Sequence, residues 1–199
     1  MEFYDVIKQR RTIRQFKNKP IAQDKLERIL SAGLAAPSSN HQRQWQLVTV
    51  TDRDKLDAIA QIVKPYPDRI KEPKTPQQEM FKISYSRQRT MIKEAPCVIL
   101  PYLRMKYDLT TSKNKWGLWD YGAGWALIEN MLLAATAEGL GTGIHALVKQ
   151  EPDQIQELVG AKDGYYLPAL VILGEAADNA EIPTQVQTSI KKNVHWQQW

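Results

Sequence analysis

Apolar residues recur along this 199-residue chain with two periods, and the switches between them mark out its elements. Phe3, Val6 and Ile7 fall at i, i+3 and i+4, one face of a short amphipathic helix. Pro20 opens a second helical segment with a stripe of Leu26, Ile29, Leu30 and Leu34, and Pro37 with Ser38-Ser39-Asn40 stops it. Trp45 to Val50 alternates as a half-buried strand does, and Asp52 then begins a helix carrying Leu56, Ile59 and Val63. Residues 64 to 76 hold Pro65, Pro67, Pro73 and Pro76 and predict an exposed excursion, either a lid or a plain surface loop.

A polar helix is expected to follow to about Lys93, then a buried strand over 96–102 and a basic, loop-like stretch from Arg104 to Lys115. From Trp119 to Glu138 the apolar side chains Trp125, Leu127, Ile128, Met131, Leu132 and Leu133 point nearly all ways round. Such a helix must be covered on most sides, and a partner subunit is a natural source of that cover. Gly139-Leu140-Gly141-Thr142-Gly143 ends it and leads into a strand from Ile144 to Val148. Pro152 starts a short helix to Val159, and Gly164 turns into a strand from Leu167 to Leu173. The tail from Glu175 to Trp199 is aromatic enough to pack across another surface, its own or a partner's. With no internal repeat, low-complexity tract or linker, the pattern predicts a single α+β domain over residues 1–199.

Composition narrows the classes. A hydrophobic fraction of 43% and a charged fraction of 25% are those of a soluble globular protein. No apolar run approaches membrane-spanning length and no signal-peptide layout opens the chain, so the expectation is a cytoplasmic protein without a membrane partner. The single cysteine, Cys97, excludes an internal disulfide and a CxxC motif, and its apolar setting predicts a buried, inert thiol. A net charge of +5 with scattered basic residues favours a local anion site over a nucleic-acid surface. The six tryptophans show no basic–aromatic alternation, and a nucleic-acid-binding module is the minor alternative.

The densest local charge is Arg10-Arg11-Thr12-Ile13-Arg14, directly after the first helix. Guanidiniums offer rigid donor forks suited to phosphate oxygens, and Thr12 adds a hydroxyl. A solvated basic turn is the competing reading. The glycine cluster at 139–143 does not fit the dinucleotide fingerprint, because it closes a helix and leads to a strand, the reverse of GxGxxG. No Walker Gly-Lys-Ser/Thr occurs either. Gly139 alone suits a helix C-cap. Three glycines in five residues also allow backbone N–H groups to approach a flat ligand closely. His41, His145 and His195 are too dispersed for a metal site; His145 and His195 suit structural roles.

Four segments, in order, resemble the FMN-dependent nitroreductase family. Arg10-Arg11-Thr12-Ile13-Arg14-Gln15-Phe16 is similar to RRS/T-x-R-x-F, and Ala36-Pro37-Ser38-Ser39-Asn40-His41-Gln42-Arg43-Gln44-Trp45 to APSS-x-N-x-QPW. Asp120 through Gly143 resembles the D-x-G-x-A-x-E-N-x-L helix running into GLGT, and Pro168 to Gly174 the PVALLALGYP strand. The resemblance implies a three-layer α+β fold, a mainly antiparallel sheet flanked by helices, in an intertwined homodimer with two FMN sites at its interface. Arg10, Arg11 and Thr12 would hold the FMN phosphate and ribityl chain, with Arg14 close by. Pro37, Ser38, Ser39 and Asn40 would approach the same flavin from the other subunit. Leu140, Gly141, Thr142 and Gly143 would line the ring, and Lys191 or Lys192 would close on the phosphate.

Gln44 stands where the family has proline, and the neighbouring positions are shuffled, so Asn40 and His41 compete for the place facing the flavin. The implied activity is a ping-pong cycle in which NADH or NADPH reduces FMN and a nitroaromatic or quinone takes the electrons. No side chain is assigned as catalytic, because the flavin carries the hydride. The alternative within the fold is a flavin-binding protein without NAD(P)H-driven turnover, dehalogenase-like or flavin-storing.

Overall fold

The computed structural model describes residues 1–67, 69–107 and 115–199. In chain order these form α1 (Phe3–Gln9), α2 (Gln23–Leu34), a 3-10 turn (Ser39–His41), β1 (Trp45–Val50), α3 (Arg53–Ile62), α4 (Pro76–Arg87) and α5 (Thr90–Glu94). There follow β2 (Cys97–Arg104), α6 (Gly117–Ala137), β3 (Gly141–Ala146), α7 (Glu151–Val159), β4 (Tyr165–Tyr166), β5 (Ala169–Gly174) and α8 (Ile190–Asn193).

The sheet runs β1-β2-β5-β3 with antiparallel neighbours, and β4 pairs with the end of β2. Both faces are apolar, because successive side chains of the central strands point to opposite cores. Val98, Leu100, Tyr102, Leu170 and Ile172 face a core built with α3, α5 and α7. Cys97, Ile99, Leu103, Val171 and Leu173 face a second core built with α2 and α6. The result is the expected three-layer α+β arrangement. Cys97 is fully buried, and that burial pushes its thiol pKa up to about 12, leaving it protonated and inert.

Several boundaries differ from the sequence reading. The strand expected from 167 to 173 begins at Ala169, after Pro168, and Tyr165–Tyr166 before it forms the separate β4. Across this break five residues of β2, Ile99 to Leu103, face six on the other side, Val171 to Tyr166. Proline cannot donate to the ladder, and the mismatch is taken up as a bulge. The expected polar helix is likewise two, α4 and α5, and Arg89 between them donates to the Ala60 and Gln61 carbonyls at the end of α3. Asp52 caps α3 as its position suggested, accepting from the Lys55 N–H at 3.0 Å.

The described residues of the excursion at 64–75 are largely exposed, yet Tyr66 stacks on Tyr85 of α4 with centroids 6.0 Å apart. Pro76, assigned to this loop from sequence, is the first residue of α4. In the basic stretch from Arg104 to Lys115, residues 108–114 lie outside the described residues. The first part of the tail packs on its own chain: Ala177 N–H donates to Gln15 O, and Thr184 N–H to Glu79. From residue 184 onward the tail is exposed.

Candidate functional site

Helix α1 ends at Arg10, whose N–H still bonds to the Val6 carbonyl at 2.9 Å. From there the chain crosses the end of the sheet. Ile13 N–H donates to Thr142 O at 2.8 Å, and Thr12 forms an isolated parallel bridge with Thr142. The strand carrying Thr142 starts at Gly141, three residues earlier than the pattern suggested, so Gly141 and Gly143 belong to β3. Their missing side chains are explained by Ile13. A Cβ on Gly141 would lie 2.7 Å from Ile13 Cγ1, and one on Gly143 would lie 2.6 Å from the Ile13 carbonyl oxygen. The close approach inferred for a flat ligand is therefore made by the chain's own residue 13. Gly139 is the C-cap glycine expected, with φ +76°.

This crossing brings the first and third groups of candidate residues together. Arg10 reaches Glu129 of α6, with Nε 3.4 Å from Oε1, both side chains remaining partly exposed. Arg11 folds back on α1, its Nη1 donating at 2.7 Å to the Lys8 and Arg10 carbonyls, where a cation favours the helix end. Arg14 differs from both. It is only 9% exposed, its Nη2 lies 3.9 Å from Met80 Sδ, and its Nε and Nη1 are buried with no hydrogen-bond partner. Burial pulls its pKa below the usual arginine value. Beside it Gln15 accepts the Glu181 N–H at 2.9 Å, latching the tail across the crossing segment.

The second group sits elsewhere. Pro37 is exposed, and Ser38 Oγ accepts the Arg43 N–H at 2.9 Å. Asn40, His41 and Arg43 have φ of 50°, 54° and 45°, three left-handed residues in four without a glycine among them. Each such residue costs of order 1 kcal/mol or more, so the surrounding contacts hold the turn in place. Asn40 and His41 are both exposed. The turn lies against the start of α6, where Ser38 shares a cleft with Asp120 and Ala123. Leu140 follows the other end of that helix, about 25 Å away at 1.5 Å per residue. One chain thus holds the turn at the start of α6 apart from Arg10, which reaches Glu129 past its middle, and from Leu140 beyond its end. Lys191 and Lys192 are exposed on α8, and among the described residues no hydrogen bond or ion pair joins them to Arg10, Arg11 or Thr12.

One cluster escaped the sequence reading. His145 of β3, read there as structural, is 2% exposed and bridges Gln88 (Nδ1 to Oε1, 2.6 Å) and Glu151 (Nε2 to Oε2, 2.9 Å). Glu151, 1% exposed, also accepts the Lys64 and Val148 N–H groups at 3.0 Å each. Burial alone would raise the Glu151 pKa, but these donors outweigh it and hold the carboxyl below its usual value. The Gln88 amide is oriented by donation to Ser84 O, so its oxygen faces the ring and Nδ1 carries a proton. A buried Glu six residues from a His carries no periodicity, which is why the pair was not legible.

Among the described residues no helix is long and apolar enough to cross a membrane. The model of the Nitroreductase family matches residues 7–175. The chain is 28% identical over 182 residues to an NADPH-flavin oxidoreductase of Vibrio harveyi, covering 90% of this chain and 68% of the relative. It is 24% identical over 197 residues to an iodotyrosine deiodinase of Nematostella vectensis, covering 96% and 73%. The crystal structure of a nitroreductase family protein from Clostridium novyi NT superimposes with a TM-score of 0.70 at 25% identity, over 89% of this chain and 87% of its own.

Proposed function

Because the chain belongs to the nitroreductase family, we propose that it is an FMN-dependent oxidoreductase driven by NADH or NADPH. Its acceptors are nitroaromatic or quinone-type molecules. The observation that carries the reading is Arg14: a guanidinium with two buried, unpartnered nitrogens is costly unless an acceptor-rich group completes it. The pyrimidine edge of an isoalloxazine, or a phosphate, is such a group.

When bound, FMN supplies the hydride chemistry. The protein's own residues bind and orient it. Arg10, Arg11 and Thr12 hold the phosphate and ribityl chain, and Glu129 keeps the Arg10 guanidinium extended in its absence. Arg14, nearly buried with two nitrogens free to donate, would hold its charge and N–H groups against the bound group. Gly141 and Gly143 serve the site at one remove. They let Ile13 lie against β3, which fixes where Arg14 emerges. Leu140 and Thr142 border the ring. A second copy of the chain supplies Pro37, Ser38, Ser39 and either Asn40 or His41, since a single chain holds that turn at the far end of α6. Lys191 and Lys192, carried on an exposed tail, close on the phosphate.

The test is the visible spectrum of the purified protein before and after anaerobic addition of NADH or NADPH. A yellow protein that bleaches supports cofactor and donor together. A yellow protein that stays yellow favours the second reading, a flavoprotein without NAD(P)H-driven turnover, for which the likeness to a deiodinase speaks. A colourless protein that refuses added FMN overturns both.

A further inference from the structure

Gly141, Gly143 and His145 occupy alternate positions of β3 and so face one side of it. Ile13 of the crossing segment covers the two glycines. The third position carries the buried imidazole, which reaches α4 instead, through Gln88 at the end of that helix. Met80, Ser84 and Gln88 are spaced i, i+4, i+8, which puts them along one face of α4. Ser84 is the buried residue of the helix, Gln88 Nε2 donates to Ser84 O at 3.0 Å, and Met80 Sδ lies 3.9 Å from Arg14 Nη2. Arg14 therefore stands between two pieces of chain that share a base on β3. One is its own segment, by way of Ile13; the other is α4, by way of His145.

The contacts that hold α4 are unequal. Toward the tail it meets the Thr184 N–H through Glu79 at 3.2 Å and Glu181 through Arg87 at 3.4 Å, both on the exposed side. Solvent screens such pairs, and they contribute little. His145 is 2% exposed and fixed at both ring nitrogens, Nδ1 by Gln88 and Nε2 by Glu151. Removing one member of a buried network leaves its partners desolvated, so this is the contact whose loss frees α4.

We propose that His145 is a positioning residue of the candidate site: anchored by Glu151, it holds α4 through Gln88, and α4 sets where the Arg14 guanidinium stands through Met80. That the positioned group serves FMN rests on the flavin reading; that α4 positions Arg14 does not.

Two readouts keep these apart. In the FMN-free protein, phenylglyoxal labelling followed by peptide mass spectrometry reports how well Arg14 is covered. His145→Leu fills similar space and leaves Glu151 its Lys64 and Val148 donors. Gln88→Met, which leaves the imidazole on Glu151, is the second variant should the first be unstable. Either is expected to label Arg14 several-fold faster than wild type does. Labelling of Arg28, ion-paired with Glu138 on the other side of the sheet, stays unchanged and excludes general unfolding. FMN affinity is the second readout. His145→Leu is expected to weaken FMN about tenfold, within the range of couplings in one hydrogen-bonded network, and to have no effect in an Arg14→Met background. Unchanged Arg14 labelling in both variants, or the same loss of FMN affinity with and without Arg14, overturns the positioning role and leaves the flavin reading standing. A protein that binds no FMN, but whose Arg14 labelling changes as expected, overturns the flavin reading and leaves the positioning.

Discussion

At the scale of single residues, Arg14 and Arg10 sit in the same crossing segment and make opposite predictions. Arg10 is about a third exposed, with one long ion pair to a half-exposed carboxylate, and a pair of that kind contributes about 0–1 kcal/mol. Arg10→Ala should leave the melting temperature of the FMN-free protein nearly unchanged while weakening FMN by roughly 1.5–3 kcal/mol, the range for a charged hydrogen bond. Turnover of the fraction that still holds FMN should fall far less. Equal FMN affinity in the two proteins would remove Arg10 from the phosphate site. Arg14 is the reverse case, because its Nε and Nη1 are desolvated and unpaired. Replacing it with methionine, similar in reach and apolar, should stabilise the FMN-free protein, by about 1–4 kcal/mol if it follows other buried charges exchanged for apolar groups. The same change should weaken FMN. Thermal melts with and without FMN check both signs, and a destabilised FMN-free Arg14→Met would show that the guanidinium has a structural partner after all.

Among elements, the junction of β3 with α7 deserves its own test, because Glu151 ties four segments together. Its carboxylate receives N–H groups from Lys64 at the root of the proline-rich excursion, from Val148 beyond β3, and from His145, which in turn reaches Gln88 after α4. The folded-state pKa of Glu151 is lowered from 4.5. Its contribution to stability is therefore complete above pH 4.5 and is lost as pH falls through the lower folded value. Glu151→Gln should cost about 1–3 kcal/mol at neutral pH, since at least one buried N–H loses its acceptor. Urea melts from pH 7 down to 3 should show the gap between the variant and wild type closing in the acid range. A gap that stays constant would mean the carboxyl is not the titrating group.

That junction also marks what the sequence could and could not carry. Period and punctuation revealed α2, β1, α3, α6 and the buried strands, because each buries a face whose spacing repeats. The arginine and glycine clusters were visible as chemistry, but their relation was not: only the folded chain shows Ile13 filling the space above Gly141 and Gly143. Likewise Pro168 signalled a break in pairing that a continuous apolar run concealed. Contacts between residues remote in sequence, such as the Arg10 side chain with Glu129 or the Lys64 N–H with Glu151, leave no period to detect.

For the molecule as a whole, the decisive fact is that α6 separates the two halves of the candidate site while much apolar surface stays open. Val186, Ile190, Trp196 and Trp199 in the tail, with Leu118 and Trp119 at the start of α6, are all at least half exposed. At about 1.5–3 kcal/mol for each large side chain fully buried, covering these six is worth on the order of 10 kcal/mol before the costs of association. A two-fold dimer covers the six on both copies, on the order of 20 kcal/mol or more against an association cost of about 4–15, which brings the net 8.2 kcal/mol or so of a micromolar dimer within reach. The same contact would bring one copy's Ser38–Asn40 turn toward the other's Arg10–Arg14 segment and complete the site. Light scattering at micromolar concentration should therefore give twice the 22.8 kDa chain mass. Removing residues 186–199 should shift the equilibrium toward the single chain and release FMN together with it, since both depend on one interface. A truncated protein that stays dimeric and yellow would place the interface elsewhere, on α6 alone. A monomeric one that keeps FMN at full affinity would mean that one chain suffices, and that the turn at the far end of α6 has no part in the site.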